Sequence, residues 1–205
     1  MSFRHNLIAS FMEITTAQIK ELRDQTGISV MQCKKALEEA NGDMDKAAVI
    51  LKKKRSEAAD KKADRDLAAG TVGAYIHNTN EVAALVLLAS ETDFVSKNEE
   101  FVALAREIAM HVAAANPTYR SREDVPESAI ETAQSVFAEE IKDKPADMQE
   151  KIMAGKLDAY FKEQILLEQP FVKDPSVTIG EMVTGAVQKF GENVSIAQFT
   201  RVSVK

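Results

Sequence analysis

Short apolar stripes separated by strong turn signals occupy the first part of the chain, and they predict three helices. Thr15 and Ser29 are each followed three residues later by glutamine, which is the pattern of a capping box. Gly27 is expected to end the first helix and Asp43 to cap the third. Helices joined by such short turns pack against one another, so residues 12–55 are predicted to form a three-helix bundle. We expect its small core to contain Leu22, Ala36, Leu37, Ala47, Ile50 and Leu51.

The composition changes after this bundle. Residues 56–66 are rich in Ala, Lys and Asp and lack large apolar side chains, so we interpret them as a linker. The runs 72–77 and 82–90 are rich in β-forming residues and are separated by a short polar turn, which predicts a β-hairpin. Because residues 82–88 are almost all apolar, we expect the second strand to be covered on both faces.

The remaining pattern is mostly helical. It predicts, in order, a helix capped by Ser96, a helical hairpin at 126–168 whose helices open at prolines, a helix at 178–190 and a strand at 194–204. The predicted fold class is therefore α+β. The helical bundle is followed, over residues 67–205, by a core with a small antiparallel sheet and helices packed to one side.

Charge and cysteine content narrow the classes of partner. The net charge of −6 is uneven: residues 1–64 carry 12 Lys or Arg against 10 Asp or Glu, and residues 65–205 carry 14 against 22. An acidic main body argues against nucleic acid as the principal partner. No apolar run approaches the roughly 20 residues of a membrane helix, so we expect no membrane span. Cys33 is the only cysteine, so no internal disulfide is possible and a reducing compartment is favoured. We expect Cys33 itself to be a small residue of the core.

The usual devices of catalysis are absent from the pattern. There is no glycine-rich phosphate loop with its lysine, and His5, His77 and His111 are scattered without a second cysteine. We therefore predict no catalytic residues, no metal and no cofactor. The sequence favours a protein that works by binding.

The first eleven residues are interpreted separately. Residues 1–11 are short for a targeting segment, contain one arginine and lack a small-residue cleavage site, and Met12 follows them directly. They are either an extension or the result of an upstream start codon, and the pattern does not distinguish the two.

Two long motifs carry a family resemblance. Residues 22–37, LRDQTGISVMQCKKAL, and residues 91–101, ETDFVSKNEEF, resemble the two signatures of the elongation factor Ts family. Shorter matches follow in the same order: MHVAAANP at 110–117, QPFVKDPS at 169–176 and GEN at 191–193. The three-helix bundle is in turn similar to a ubiquitin-associated domain.

The chain also departs from the family pattern. Val30 and Met31 stand where many members have two methionines, and residues 87–90 lack a polar pair that usually precedes the second signature. In length the chain resembles the single-core form of the family. That resemblance implies a homodimer through the core sheet, whereas a monomer with the sheet covered by helices is the ordinary alternative.

The resemblance implies a function as well. Members are guanine-nucleotide exchange factors for elongation factor Tu: they bind its nucleotide-free state, disturb its Mg²⁺ site and promote GDP release. The second signature places Asp93 and Phe94 near that Mg²⁺ site, and His111 is also expected to face the partner. The bundle's docking candidates are Leu22, Arg23, Val30 and Met31. A bacterial cytoplasm is implied, with an organelle as the weaker alternative.

Several alternatives stay open at this point. A ubiquitin-associated-type adaptor that grips a peptide or helix would explain the bundle but not the second signature. An enzyme using Asp93 lacks a neighbouring carboxylate, histidine or metal cluster in the sequence. Asp93 could bond its own turn or a donor on Tu, and Val30 could be core or surface. Phe94 could fold back onto the core, but the signature favours an outward ring with Val95 as the inward anchor.

Overall fold

The structure is a computed structural model that describes residues 14–204, apart from the side chain of Ala146. The described part of the chain divides into two compact units, with the boundary between Lys61 and Lys62. The predictions for residues 1–11 lie outside the described residues. The α+β fold class predicted from the sequence is confirmed.

The first unit is a bundle of three helices, α1 (Thr16–Thr26), α2 (Val30–Glu39) and α3 (Met44–Asp60). Its buried core contains Cys33 and five of the six predicted residues, while Ile50 is only partly buried. Helix α3 continues to Asp60, so residues 56–60 of the segment that we interpreted as a linker are helical. The assignment of residues 12–55 and 67–205 to separate domains stays a prediction.

The predicted caps of the bundle are confirmed. The side-chain oxygens of Thr15, Ser29 and Asp43 each accept a hydrogen bond from the backbone N–H three residues later. These bonds satisfy donors that a helix start would otherwise leave unpaired. Gly27 ends α1 with a φ of 68°, in the left-handed region that glycine adopts without a steric penalty.

The second unit is built on a three-stranded antiparallel sheet of order β1-β2-β5. Strands β1 (Ala69–Ile76) and β2 (Val82–Ser90) form the predicted hairpin, and β5 (Val194–Ser203) pairs with the other edge of β2. The β2–β5 register shifts between Leu87 and Leu88. The long helix α5 (Glu99–Ala115) covers one face, and Gly73 permits its close approach, since a Cβ there would lie 2.2 Å from the Ala105 backbone.

The expectation that β2 is covered on both faces is wrong. Ala84, Val86 and Leu88 are buried, whereas Leu85 between them is 47% exposed. This alternation arises because side chains of a strand point to opposite faces and α5 packs against only one of them. The opposite face, which we call the outer sheet face, exposes Val72, Ile76, Leu85, Val202 and Val204.

The cap predicted at Ser96 is also wrong. A short helix α4, Asp93–Ser96, stands between β2 and α5, and Thr92 caps it. Asn98 caps α5, because its side-chain oxygen accepts from the Glu100 N–H at 2.9 Å. The Ser96 hydroxyl instead donates to the Asp93 carbonyl at 3.2 Å.

The helical hairpin is confirmed, with shorter helices than predicted. Helices α6 (Glu127–Ile141) and α7 (Ala146–Lys162) pack together around a small cluster that includes Ala133 and Phe161. The chain then forms a short hairpin that the sequence did not predict, β3 (Pro170–Phe171) with β4 (Asp174–Thr178). Helix α8 (Ile179–Phe190) precedes β5. Among the described helices, none combines the length and apolar character needed to cross a bilayer.

Candidate partner-binding site

The most exposed large apolar side chain in the described part of the second unit is that of Phe94. It is 82% exposed, whereas the next two residues, Val95 and Ser96, are 4% and 7% exposed. Within this one turn of helix, the side chain of Val95 is buried as the inward anchor and that of Phe94 points to solvent. The folded-back alternative for Phe94 does not occur.

Asp93 is exposed beside it and forms an ion pair with Lys97, with 2.6 Å between the Lys97 Nζ and an Asp93 carboxylate oxygen. This hydrogen bond holds the pKa of Asp93 below its ordinary value of 3.8, so the carboxylate is charged at neutral pH. Both side chains are about three-quarters exposed, so the pair contributes little to stability. Asp93 thus has a partner within its own turn and remains accessible.

The turn that carries Phe94 is held at its start by Glu192. One Glu192 carboxylate oxygen accepts from the Thr92 hydroxyl at 2.6 Å, and the other accepts from the Thr92 N–H at 3.0 Å. The Thr92 hydroxyl also accepts from the Val95 N–H at 3.5 Å, which is the cap of α4. The residue that starts the turn is therefore fixed by a residue from the α8–β5 connection.

A second contact joins the same two segments. The carboxylate of Glu91 accepts from the backbone N–H of Asn193 and pairs with Arg65 at 3.2 Å. The Asn193 N–H holds the pKa of Glu91 below its ordinary value. Asn193 is buried, and its side-chain amide donates to the carbonyls of Ala63 and Arg65 at 3.1 and 3.0 Å. Residues 91 and 92 are therefore bound to 193 and 192, respectively.

His111 is fully buried, so it does not face a partner from its position in this structure. The side-chain amide of Gln169 donates to the Glu163 carbonyl at 2.6 Å, which turns its oxygen toward His111 Nε2 at 2.8 Å. The Val172 N–H donates to His111 Nδ1 at 3.3 Å. The ring is therefore neutral with its proton on Nε2, and burial lowers its pKa while the bond to Gln169 opposes that shift.

These contacts join four of the family motifs in pairs. The stretch 110–117 meets 169–176 through His111, and the stretch 91–101 meets 191–193 through Glu91 and Thr92. Gln169, Glu192 and Asn193 were not among the residues predicted to form the site. The only signal for them was that each lies in one of the supporting matches.

In the bundle, the predicted docking residues separate into two groups. Val30 and Met31, in the first turn of α2, are 52% and 70% exposed, so Val30 belongs to the surface. Arg23 is half-exposed and paired with Asp24 at 2.9 Å. Leu22 has no exposed surface, because it packs in the bundle core, and it offers no contact to a partner from this position.

The described residues also bear on metal binding. Within residues 14–204, no three His, Cys, Asp or Glu side chains come together in a way that could hold a metal ion.

Comparison with known proteins gives the family. A family model described as elongation factor TS matches residues 7–205. The elongation factor Ts of Carboxydothermus hydrogenoformans is 48% identical over 190 residues, which cover 92% of this chain and 88% of the relative. That of Thermodesulfovibrio yellowstonii is 45% identical over 194 residues, covering 94% and 97%. That of Fervidobacterium nodosum is 43% identical over 195 residues, covering 94% and 99%.

The fold and these matches define a nucleotide exchange factor of translation elongation. The chain belongs to the elongation factor Ts family, as the two sequence signatures predict.

Proposed function

We propose that this chain accelerates GDP release from elongation factor Tu by inserting Phe94 beside the Mg²⁺ site of its partner. The exposure of Phe94 carries the proposal. A ring that is 82% exposed has almost all of its apolar surface available for burial against another protein. The charged Asp93 beside it supplies a hydrogen-bond acceptor for the same contact.

The proposed activity needs no covalent chemistry from this chain. An exchange factor has to bind the nucleotide-free partner more tightly than the GDP-loaded one, because the coupling between the two ligands is reciprocal. Weakening the affinity of Tu for GDP by about 10⁴-fold requires that the chain bind nucleotide-free Tu more favourably than GDP-loaded Tu by roughly 5.5 kcal/mol. One inserted aromatic ring and a few polar contacts over an interface of ordinary size can supply this energy.

The bundle contributes the second part of the proposed contact. Val30 and Met31 present apolar surface from the first turn of α2, and Arg23 adds a charge from α1. Methionine suits such a surface, since its flexible thioether adapts to the shape of a partner. We assign the docking of the bundle on the GTPase domain of Tu to these three residues and omit Leu22.

We further propose that the chain pairs with a second copy through the outer sheet face. Five apolar side chains there are at least 47% exposed, and Val202 lies directly opposite Ala83 in the register of the sheet. An apolar face of this kind is uncommon on a monomer without a partner. Pairing would be non-covalent, because Cys33 is buried in the other unit.

The setting we propose is the bacterial cytoplasm. The relatives are bacterial proteins, and translation elongation takes place in that compartment. The alternative of a ubiquitin-associated-type adaptor accounts only for the bundle, whereas the family match extends over residues 7–205.

The test is a release experiment with Tu loaded with fluorescent GDP. Excess unlabelled GDP is added with increasing concentrations of the chain, and the decay of fluorescence is followed. We expect the release rate to rise with the concentration of the chain and then reach a plateau. A rate equal to that of Tu alone at every concentration would remove the proposed function.

A further inference from the structure

The carboxylate of Glu192 accepts both hydrogen bonds that Thr92, the first residue of the Phe94 turn, can donate. The two oxygens of Glu192 lie 2.6 and 3.0 Å from the hydroxyl oxygen and the backbone nitrogen of Thr92. Hydrogen bonds to a charged group are stronger than neutral ones, and two parallel bonds also fix orientation. The residue that begins α4 is thus held in both position and direction by a side chain 100 residues away in sequence.

Glu192 is itself well placed to act as a fixed point. It stands between Gly191, which ends α8 with a φ of 74°, and Asn193, which is buried. The backbone and side chain of Asn193 are hydrogen-bonded to Glu91, Ala63 and Arg65. Strand β5 begins directly afterwards with Val194, which is buried and paired with Ser90.

The Phe94 turn is held by burial as well as by Glu192, and the Ser96 hydroxyl also donates to the Asp93 carbonyl. Helix α4 has four residues, of which Val95 and Ser96 are buried, and Phe94 is 82% exposed. The Ser90 hydroxyl donates to the Thr92 carbonyl at 3.0 Å, and this bond fixes the entry of the chain. Burial of Val95 and Ser96 fixes the inner side of α4, and the bonds at Thr92 fix the residue at which the helix starts, so both contribute to the direction of the outward ring.

We propose that Glu192 is a positioning residue for nucleotide exchange: through Thr92 it holds α4 in one orientation, so that Phe94 is presented to the partner already ordered. The inference rests on the proposed role of Phe94. Ordering a segment before binding reduces the entropy that association would otherwise cost. Loss of the carboxylate should therefore slow exchange without removing any contact to the partner.

The first test compares Glu192→Gln with the parent in the GDP-release assay. A glutamine oxygen can accept from one Thr92 donor, but its amide group then faces the other donor, so the paired contact is lost. We expect about tenfold slower exchange and a melting temperature close to that of the parent. Glu140→Gln is the matched control, because it removes the same charge and one exposed ion pair, with Lys156, from the helical hairpin. An unchanged rate for Glu192→Gln would overturn the inference.

A double-mutant cycle with Phe94→Ala separates positioning from other roles. If Glu192 acts through the ring, Glu192→Gln slows exchange in the parent but has no further effect when Phe94 is alanine. Equal slowing in both backgrounds would mean that Glu192 touches Tu directly or acts on stability alone, and would overturn the inference. A parental rate for Phe94→Ala would instead overturn the proposed insertion of Phe94, and with it the positioning role of Glu192.

A spectroscopic measurement tests the ordering without Tu. The chain contains no tryptophan, so Phe94→Trp places a single tryptophan on the turn, and its emission is excited selectively at wavelengths that the three tyrosines do not absorb. Time-resolved anisotropy should show that this side chain moves with the whole protein, and that adding Glu192→Gln introduces fast local motion. Two further variants are made in the Phe94→Trp background. Thr92→Ser keeps both donors and should leave the tryptophan as restricted as in Phe94→Trp alone, whereas Thr92→Val loses the hydroxyl donor and should increase its local motion. The same slow decay in all four proteins would contradict positioning by Glu192.

Discussion

Replacing Phe94 with alanine removes the side chain on which the proposed exchange mechanism depends. Its 82% exposure means that the free protein obtains little stability from the ring, whereas a complex can bury nearly all of it. Burial of a phenylalanine side chain contributes about 2–3 kcal/mol. At 1.4 kcal/mol for each factor of ten, Phe94→Ala should slow exchange by roughly 30- to 150-fold.

The assay is stopped-flow release of fluorescent GDP from Tu, performed together with thermal unfolding of each variant. Val136→Ala is the matched control for activity, because that valine is 55% exposed on the helical hairpin. Phe101→Ala is the contrast for stability. That ring is buried and packs edge-on against Phe190 with 5.5 Å between ring centroids, so its loss should cost about 3–5 kcal/mol.

Two results would refute this reasoning. Exchange by Phe94→Ala within about twofold of the parent would show that the ring is not inserted. A melting temperature lowered as much as that of Phe101→Ala would show that Phe94 supports the fold rather than a contact to the partner.

Three further predictions concern the bundle, the sheet and the buried histidine. Met31→Asp should weaken binding to Tu by at least about tenfold at unchanged melting temperature, because the side chain is 70% exposed and an acid is favourable in the first turn of a helix. Val202→Asp should lower the mass measured by light scattering from about twice the 22.5 kDa chain mass to that of one chain, because it places a charge on the outer sheet face. The pKa of His111 is lowered in the folded state, so its contribution to stability is present above the unfolded pKa of about 6.5 and is lost as the pH falls toward the folded value. His111→Gln should therefore show a shallower loss of urea resistance below that pH.

Each of these has its own control or contrary outcome. Val49→Asp places the same charge at another exposed apolar position of the bundle, and equal weakening by it would remove the specific role of Met31. A parent chain that already scatters as a monomer and still exchanges nucleotide would overturn the dimer. Parallel pH profiles for the parent and His111→Gln would show that the imidazole does not determine the acid sensitivity.

Local signals predicted most of the fold. The caps at Thr15, Ser29 and Asp43 and the left-handed Gly27 depend on residues within one helical turn of each other, so the sequence contains all the relevant partners. The β-hairpin was predictable because its two strands are consecutive in sequence and are joined by a short polar turn. Where two candidate caps lie two residues apart, as Ser96 and Asn98 do, the pattern favoured the wrong one.

Contacts between distant segments were not predictable in this way. Nothing in the local pattern around Thr92 indicates that Glu192 accepts its two donors, or that Gln169 meets His111. Family motifs identified both segments without distinguishing residues that contact a partner from residues that hold the site together. Leu22 and His111 were therefore predicted to dock, whereas the structure buries both.

Nucleotide exchange by this chain requires that it bind nucleotide-free Tu in preference to GDP-loaded Tu. The most direct measurement is therefore its dissociation constant for nucleotide-free Tu and for GDP-loaded Tu, by calorimetry under the same conditions. Reciprocal coupling predicts that the dissociation constant for GDP-loaded Tu, divided by that for nucleotide-free Tu, equals the factor by which the chain weakens GDP binding. We expect this ratio to be far above one. Equal affinity for the two states would rule out exchange by differential binding, however tightly the chain binds.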